Sequence, residues 1–233
     1  MKPDLSVSIG GLRLKNPVIS ASGTFGYGLE FAPFYDISRL GAVVVKGLSL
    51  APTPGNPPGR IVETAAGMLN AIGLQNIGVE RFIADVVPRL EDAGAACVAN
   101  IYGKTAEEYE EVAERLSAVS SLSAIEVNAS CPNVKEGGMA FGATAEGIAG
   151  LTARVRRRTD KPLWVKLSPN VSNIAAIAAA ALVVANPLEI VVASSSQGKG
   201  ILGVIDGSPP KGVETPSDRS ERRTFLRKIG YTL

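Results

Sequence analysis

The sequence predicts an α/β fold in which a parallel sheet is covered by helices, and three observations predict it. Short apolar runs alternate one by one with segments of helical period. The apolar runs are continuous, as in strands buried on both faces. Polar residues gather at the carboxyl ends of those runs. With 233 residues, 45% hydrophobic and 20% charged, the chain can bury one substantial core, and this excludes disorder over most of its length.

In chain order, SVSI and LRLK flank Gly10 and Gly11 and read as an opening hairpin. The apolar runs are NPVISASG at 16–23, AVVVKGLS at 42–49, ACVANIYG at 96–103, AIEVNASC at 124–131, PLWVKLS at 162–168 and LEIVVASS at 188–195. Six strands are expected from them. Helical periodicity marks 77–94, 105–120, 144–160 and 172–185, and Thr105, Thr144 and Ser172 stand where N-caps belong. The polar residues Ser22, Lys46, Asn100, Asn128 with Cys131, and Lys166 end different strands. In a (β/α)8 barrel those ends meet at one mouth, whereas an open sheet spreads them along an edge, so the barrel is the better reading. Eight units plus a hairpin need roughly 250–300 residues. An incomplete barrel of about six units over 1–195 is therefore expected, followed by a divergent tail at 196–233. That tail has one weak strand candidate, ILGVI, before a run rich in Pro, Ser and charge that reads as disordered.

The net charge of +2, with no long basic run before about residue 219, gives no electrostatic reason to expect nucleic acid or an anionic membrane as a partner. The first twenty residues lack the continuous apolar stretch of a secretory signal. The longest apolar run, 174–185, falls short of the roughly 20 residues that span a bilayer. A cytoplasmic chain acting on a small molecule is expected. The two cysteines, Cys97 and Cys131, are poor evidence for a disulfide in a reducing compartment, and alone they cannot ligate an iron-sulfur cluster. No metal site is expected.

The strongest local signal is NASCPNVKEGG at 128–138, where a strand ends in Asn128 and opens into a Gly-rich loop carrying Ser130, Cys131 and Asn133. Taken alone, a loop cysteine is more often a small packing residue, and the asparagines shape a turn. Three motifs in order, GMLNAIGLQN at 67–76, NASCPNVKEGG at 128–138 and KPLWVKLSPN at 161–170, give the chain a close resemblance to class 1 dihydroorotate dehydrogenases. SASGTFGYG at 20–28 and VVKGLS at 44–49 extend the match to about residues 3–180. The wording of two of these motifs is nearer the NAD-linked subtype than the fumarate-using one.

The resemblance implies that dihydroorotate loses a proton from carbon 5 to a cysteine base, Cys131, and a hydride from carbon 6 to FMN. A thiol suits this because its pKa of about 8.5 needs only a modest shift to give thiolate near neutral pH, and the chain has no histidine. By the same resemblance Lys46, Asn70, Ala71, Ile72, Gly73, Leu74, Asn128 and Asn133 contact the substrate. Ala21, Ser22, Gly23, Lys46, Gly47, Asn100, Asn128 and Lys166 contact FMN. Read without the resemblance, a strand-end lysine is more often exposed, but the apolar neighbours of Lys166 argue for its burial; 70–74 is a tight turn, and the small residues at 21–23 serve close packing. Cys97 reads as inert core, and Arg156, Arg157 and Arg158 as a solvated helix end favoured by the helix dipole. An electron-transfer subunit with FAD and an iron-sulfur cluster, around a homodimeric core, is the implied partner. Past about residue 180 the strand ends that cradle the FMN phosphate are not recognisable, and an altered carboxyl-terminal region is expected. Two other readings stay open: a flavin barrel acting on another pyrimidine, such as a dihydropyrimidine dehydrogenase, and a non-catalytic chain that only binds a partner.

Overall fold

The computed structural model describes residues 3–130, 141–168, 171, 173–184, 188–193 and 202–205. The hairpin forms as expected: β1 (Val7–Ile9) pairs antiparallel with β2 (Leu12–Leu14). Gly10 and Gly11 hold φ of 54° and 82°, the double left-handed turn that matches the twist of a two-residue hairpin.

The main sheet takes up β3 (Val43–Val44), β6 (Cys97–Ile101), β7 (Leu122–Asn128), β8 (Leu163–Leu167), β9 (Leu188–Ala193) and β10 (Leu202–Ile205), in that order across the sheet. β3 to β9 are parallel, and β10 is antiparallel to β9. Among the described residues the sheet is an incomplete barrel, as the sequence predicts. Leu202–Ile205, within the ILGVI candidate, does form a strand; the rest of 196–233 lies outside the described residues.

Two expected strands are shorter than their apolar runs. The 16–23 run makes a single parallel bridge, Ile19 to Ala42. Immediately after it, the Ser20 hydroxyl replaces the backbone, accepting from Val44 N at 2.9 Å and donating to Val44 O at 3.2 Å. In the 42–49 run, Lys46 N turns away to Gly26 O at 2.8 Å, and pairing resumes as a bridge between Leu48 and Ile101. A second hairpin, β4 (Ile61–Thr64) with β5 (Gly67–Asn70), was not expected from the sequence. All eight of its residues are exposed, so no buried face writes a pattern into it.

The four expected helices are present. Val79–Arg81, Phe82–Val86 and Val87–Asp92 follow one another as α1, with a π-helical middle. Pro88 has no N–H for the carbonyl four residues back, and the wider turn lies just ahead of it. Thr105 caps α2 (Ala106–Ser117) by accepting from Glu108 N, and Thr144 caps α3 (Ala145–Arg156) by accepting from Gly147 N. Ser172 lies outside the described residues; at α4 (Ile174–Val184) the Asn173 side chain accepts from Ala176 N at 3.0 Å. None of the described helices is long and apolar enough to cross a membrane.

Alternation along the strands makes two cores. Val43, Cys97, Ala99, Ile101, Ile125, Val127, Leu163, Val165 and Leu167 face the helices and pack on Phe82, Leu90, Tyr109 and Leu151. Val44, Val98, Ala124 and Trp164 face the concave side, where Ile9 and Leu14 of the opening hairpin plug the base. The arginine reading needs correction. Arg156 is half-buried and donates to the carbonyls of Thr159 and Lys161, closing the turn into β8. Arg158 pairs with Glu110 and Glu114 of α2.

Candidate active site at the strand ends

The concave face changes character along its strands. Its base is the apolar cluster around Val98, Ala124 and Trp164. Two residues further along each strand, the same face carries Asn100, Glu126 and Lys166, and Asn128 follows one step beyond Glu126. Register puts Asn100 opposite Glu126 and Asn128 opposite Lys166. All four side chains are buried, and such groups are tolerated only when paired.

The pairing takes in four of the eight expected flavin contacts, Ser22, Asn100, Asn128 and Lys166. Lys166 Nζ donates to Ser22 Oγ at 3.0 Å, and Asn100 Nδ2 donates to Glu126 Oε1 at 2.6 Å. Asn128 Nδ2 reaches Asn100 Oδ1 at 3.5 Å. Asn128 Oδ1 accepts from the backbone and the hydroxyl of Ser130, at 3.2 and 2.8 Å. Asn128 therefore spends its acceptor on shaping the start of the cysteine loop. Cys131 and Asn133 lie outside the described residues.

Glu126 was missed in the sequence, although a carboxylate two positions before Asn128 inside an apolar run was a visible signal. Burial pushes its pKa up, opposed by Lys166 and by hydrogen bonds from Asn100 and Ser22. Gly47 touches the same cluster: a Cβ there would stand 3.1 Å from Asn100 Oδ1 and 3.0 Å from the Tyr102 ring. Gly23 is exposed, and a Cβ there would meet nothing within 4 Å, so the end of the first run borders open space. Ala21 closes the adjacent turn by accepting from Thr24 N at 3.0 Å.

Lys46 lies in a neighbouring cleft of about 420 Å³, lined also by Tyr27, Thr53, Gln75, Asn76 and Ile77. Its ammonium sits 5.9 Å from the centre of the Tyr27 ring, and burial pushes its pKa down. The expected substrate segment, 70–74, leads directly into Gln75 and Asn76 of this lining. Ala71 and Ile72 are held by Asn56 and Arg60: Asn56 Nδ2 donates to Ala71 O at 2.7 Å, and Asn56 N donates to Ile72 O at 3.0 Å. Gly73 has φ of 75°, and a Cβ would lie 2.7 Å from Asn56 N, so only glycine fits. Leu74 holds φ of 57°, a conformation that costs a non-glycine residue about 1–3 kcal/mol and tends to mark functional segments. Tyr102 and Asn76 fix it by donating to Leu74 O at 3.0 and 3.1 Å. Asn70 ends β5, exposed, and the structure does not bring it to the interior cluster.

Cys97 is buried against the helices and its thiol is pushed up to about 12 by burial alone, as an inert core cysteine should be. Among the described residues no cluster of His, Cys, Asp and Glu is arranged to hold a metal.

The family model described as dihydroorotate dehydrogenase matches residues 4–212. The catalytic subunit of dihydroorotate dehydrogenase B (NAD(+)) from Pelobacter propionicus is 54% identical over 180 residues, which are 77% of this chain and 59% of that protein. The protein of the same description from Solidesulfovibrio magneticus is 56% identical over 183 residues, 78% of this chain and 60% of its own. The chain thus spans about 60% of the length of these relatives. A crystal structure of DHODH from Eimeria tenella in complex with ferulenol superposes with a TM-score of 0.61 at 22% identity, covering 78% of this chain and 57% of that one; this likeness bears on the fold.

Proposed function

The chain belongs to the dihydroorotate dehydrogenase family, and on that premise we propose that it is the catalytic subunit of an NAD-linked dihydroorotate dehydrogenase, oxidising dihydroorotate to orotate in pyrimidine synthesis with FMN as cofactor. The observation that carries the proposal is the buried polar set at the strand ends: Ser22 on Lys166, Asn100 on Glu126, and Asn128 beside Asn100. Four residues expected from the resemblance to meet one ring system are gathered in one buried polar set on adjacent strand ends.

The residues fit a flavin. A hydroxyl, two amides and an ammonium offer donors and acceptors suited to the polar edge of the ring, and Gly23 and Gly47 keep side chains out of its way. When bound, FMN supplies the acceptor for the hydride from carbon 6. Lys166 brings a fixed positive charge to the ring, held in direction by Ser22. Lys46 and the backbone of Ala71, Ile72, Gly73 and Leu74, with Asn70, Asn128 and Asn133, bind the carboxylate and amide edges of the substrate. Cys131 takes the proton from carbon 5, its loop started by the Ser130–Asn128 bonds. A separate electron-transfer subunit, carrying FAD and an iron-sulfur cluster, passes the electrons to NAD; two cysteines in this chain are too few for the cluster. The assembly is proposed to be cytoplasmic, around a homodimer of this chain.

The test is the visible absorbance of the purified chain, followed by dihydroorotate without air. A flavin spectrum that bleaches is expected, and Cys131→Ser should slow bleaching by roughly 10²-fold or more, the usual worth of a general base, with the spectrum before addition unchanged. A folded chain that takes up no FMN, or whose flavin is not bleached, would sink the proposal.

A further inference from the structure

Three of the groups given a flavin-facing role share one partner that none of the motifs points to, the carboxylate of Glu126. It projects from β7 into the concave face and is 3% exposed. A carboxylate so placed is tolerated only if donors are aimed at it. Asn100 Nδ2 donates at 2.6 Å, and the Ser22 hydroxyl and the Lys166 ammonium of the neighbouring strand both favour the charged carboxylate against its burial.

The donor directions are set by counting protons. Lys166 has only protons to give, so Ser22 Oγ accepts from it at 3.0 Å and keeps its own single proton for Glu126. The chain of donors runs from Lys166 through Ser22 to Glu126. On the other side, Asn100 commits its NH2 to the carboxylate, so its Oδ1 must point away. There it stands by Gly47 and accepts from Asn128. Removing the negative charge leaves Ser22 free to rotate and the Asn100 amide free to flip.

We propose that Glu126 is a positioning residue whose carboxylate fixes the Ser22 hydroxyl, the Asn100 amide and, through Ser22, the Lys166 ammonium in the orientations in which they meet the flavin. The last step rests on the flavin reading above; the anchoring itself rests on the side-chain geometry. Glu126 acts through these residues and is not itself a catalytic residue.

The test is a double-mutant cycle of Glu126→Gln and Lys166→Met in the full chain, read on FMN affinity by flavin fluorescence quenching and on urea unfolding of the FMN-free protein. Glu126→Gln alone should weaken FMN binding at least about tenfold, as expected when a hydrogen bond to a charged group is lost. In the Lys166→Met background the same change should alter affinity less than about twofold, because the group it positions is gone. The unfolding constants should be non-additive in the same sense. Should Glu126→Gln alone fail to fold, recovery of folding in the double variant reads the same coupling, since removing both members of a buried pair costs less than removing one. Additive effects, or no recovery, overturn the anchor. Non-additive unfolding in a chain that binds no FMN keeps the anchor and sinks the flavin reading instead.

Discussion

On β7, Ile125 and Val127 face the helices while Glu126 and Asn128 face the concave side. On β8, Val165 and Leu167 alternate in the same way with Lys166. The outer face is apolar from end to end of these strands. The inner face is apolar only at the base, under the opening hairpin, and polar toward the carboxyl ends. One set of strands thus divides two tasks by parity: the outer residues drive collapse, and the inner ones hold groups that would be wasteful in a core. Substitutions on the two faces should separate accordingly, and the largest effect belongs outside. Phe82 is fully buried against the sheet; Phe82→Ala should cost about 3–5 kcal/mol of unfolding free energy. Ser22→Ala, inside, leaves the buried Lys166 ammonium without this acceptor and should cost about 1–3 kcal/mol in urea unfolding, less than Phe82→Ala, while weakening FMN binding. Equal costs on both faces would break the division.

Cys97 sharpens the comparison with pH, being an outer-face thiol with no role in binding. Its pKa is raised by burial from 9.0 to about 12. Above pH 9 the unfolded chain loses this proton while the folded chain keeps it. The folded state therefore binds more protons, and stability falls as pH rises between 9 and 12. The slope from this site is about 1.4 kcal/mol per pH unit. Cys97→Ala should flatten the alkaline limb of the stability curve by that amount, and thiol reagents should reach Cys97 only on unfolding. An unchanged limb would mean that the thiol is not shielded.

Parity also decides what the sequence could tell. The outer face is written in consecutive apolar runs and helical stripes, so β6, β7, β8 and all four helices were legible. The edge of the sheet was less so. Residues 16–23 look like a strand, yet Ser20 side-chain bonds replace the ladder beside Val44, and no periodicity reports a hydroxyl standing in for an amide. The β4–β5 hairpin, exposed throughout, has no pattern to read. In the site, Ser22, Asn100, Asn128 and Lys166 were found because they end apolar runs. Glu126 lies one full residue pair inside its run and was read as part of the strand. Asn76 and Tyr102, which bond each other at 2.8 Å and brace Leu74, were likewise missed: Tyr102 is 28 residues away from the carbonyl it holds, and no local pattern reports such a contact.

Among smaller effects, the caps of α2 and α3 allow the outer layer to be weakened without touching the inner one. Thr105 and Thr144 each satisfy a backbone N–H of the first turn. Thr105→Ala or Thr144→Ala should each cost about 1 kcal/mol in urea unfolding, with FMN affinity unchanged within about twofold. A loss of affinity comparable to that of the Ser22 variant would show that the helices tune the site.

The smallest effect is expected on the solvent-facing side of the helices. Arg154 bridges Glu107 and Glu110, and Arg158 bridges Glu110 and Glu114, tying α2 to α3 across the surface. Four ion pairs around one groove look substantial, but Arg158, Glu107 and Glu114 are largely exposed. Water already stabilises such charges, and holding long side chains in place costs rotamer entropy, so each pair adds about 0–1 kcal/mol. Arg158→Ala should therefore lower stability by less than about 1 kcal/mol at low salt, and by a smaller amount at molar salt, where the screening length falls to about 3 Å. Arg154, more enclosed and bonded to the nearly buried Glu110, should lose more on truncation and keep more of that loss in salt. If both arginines respond alike, the surface network is uniform; if Arg154 alone resists salt, its contact with Glu110 belongs to the outer core and the boundary of that core runs through the α2–α3 groove.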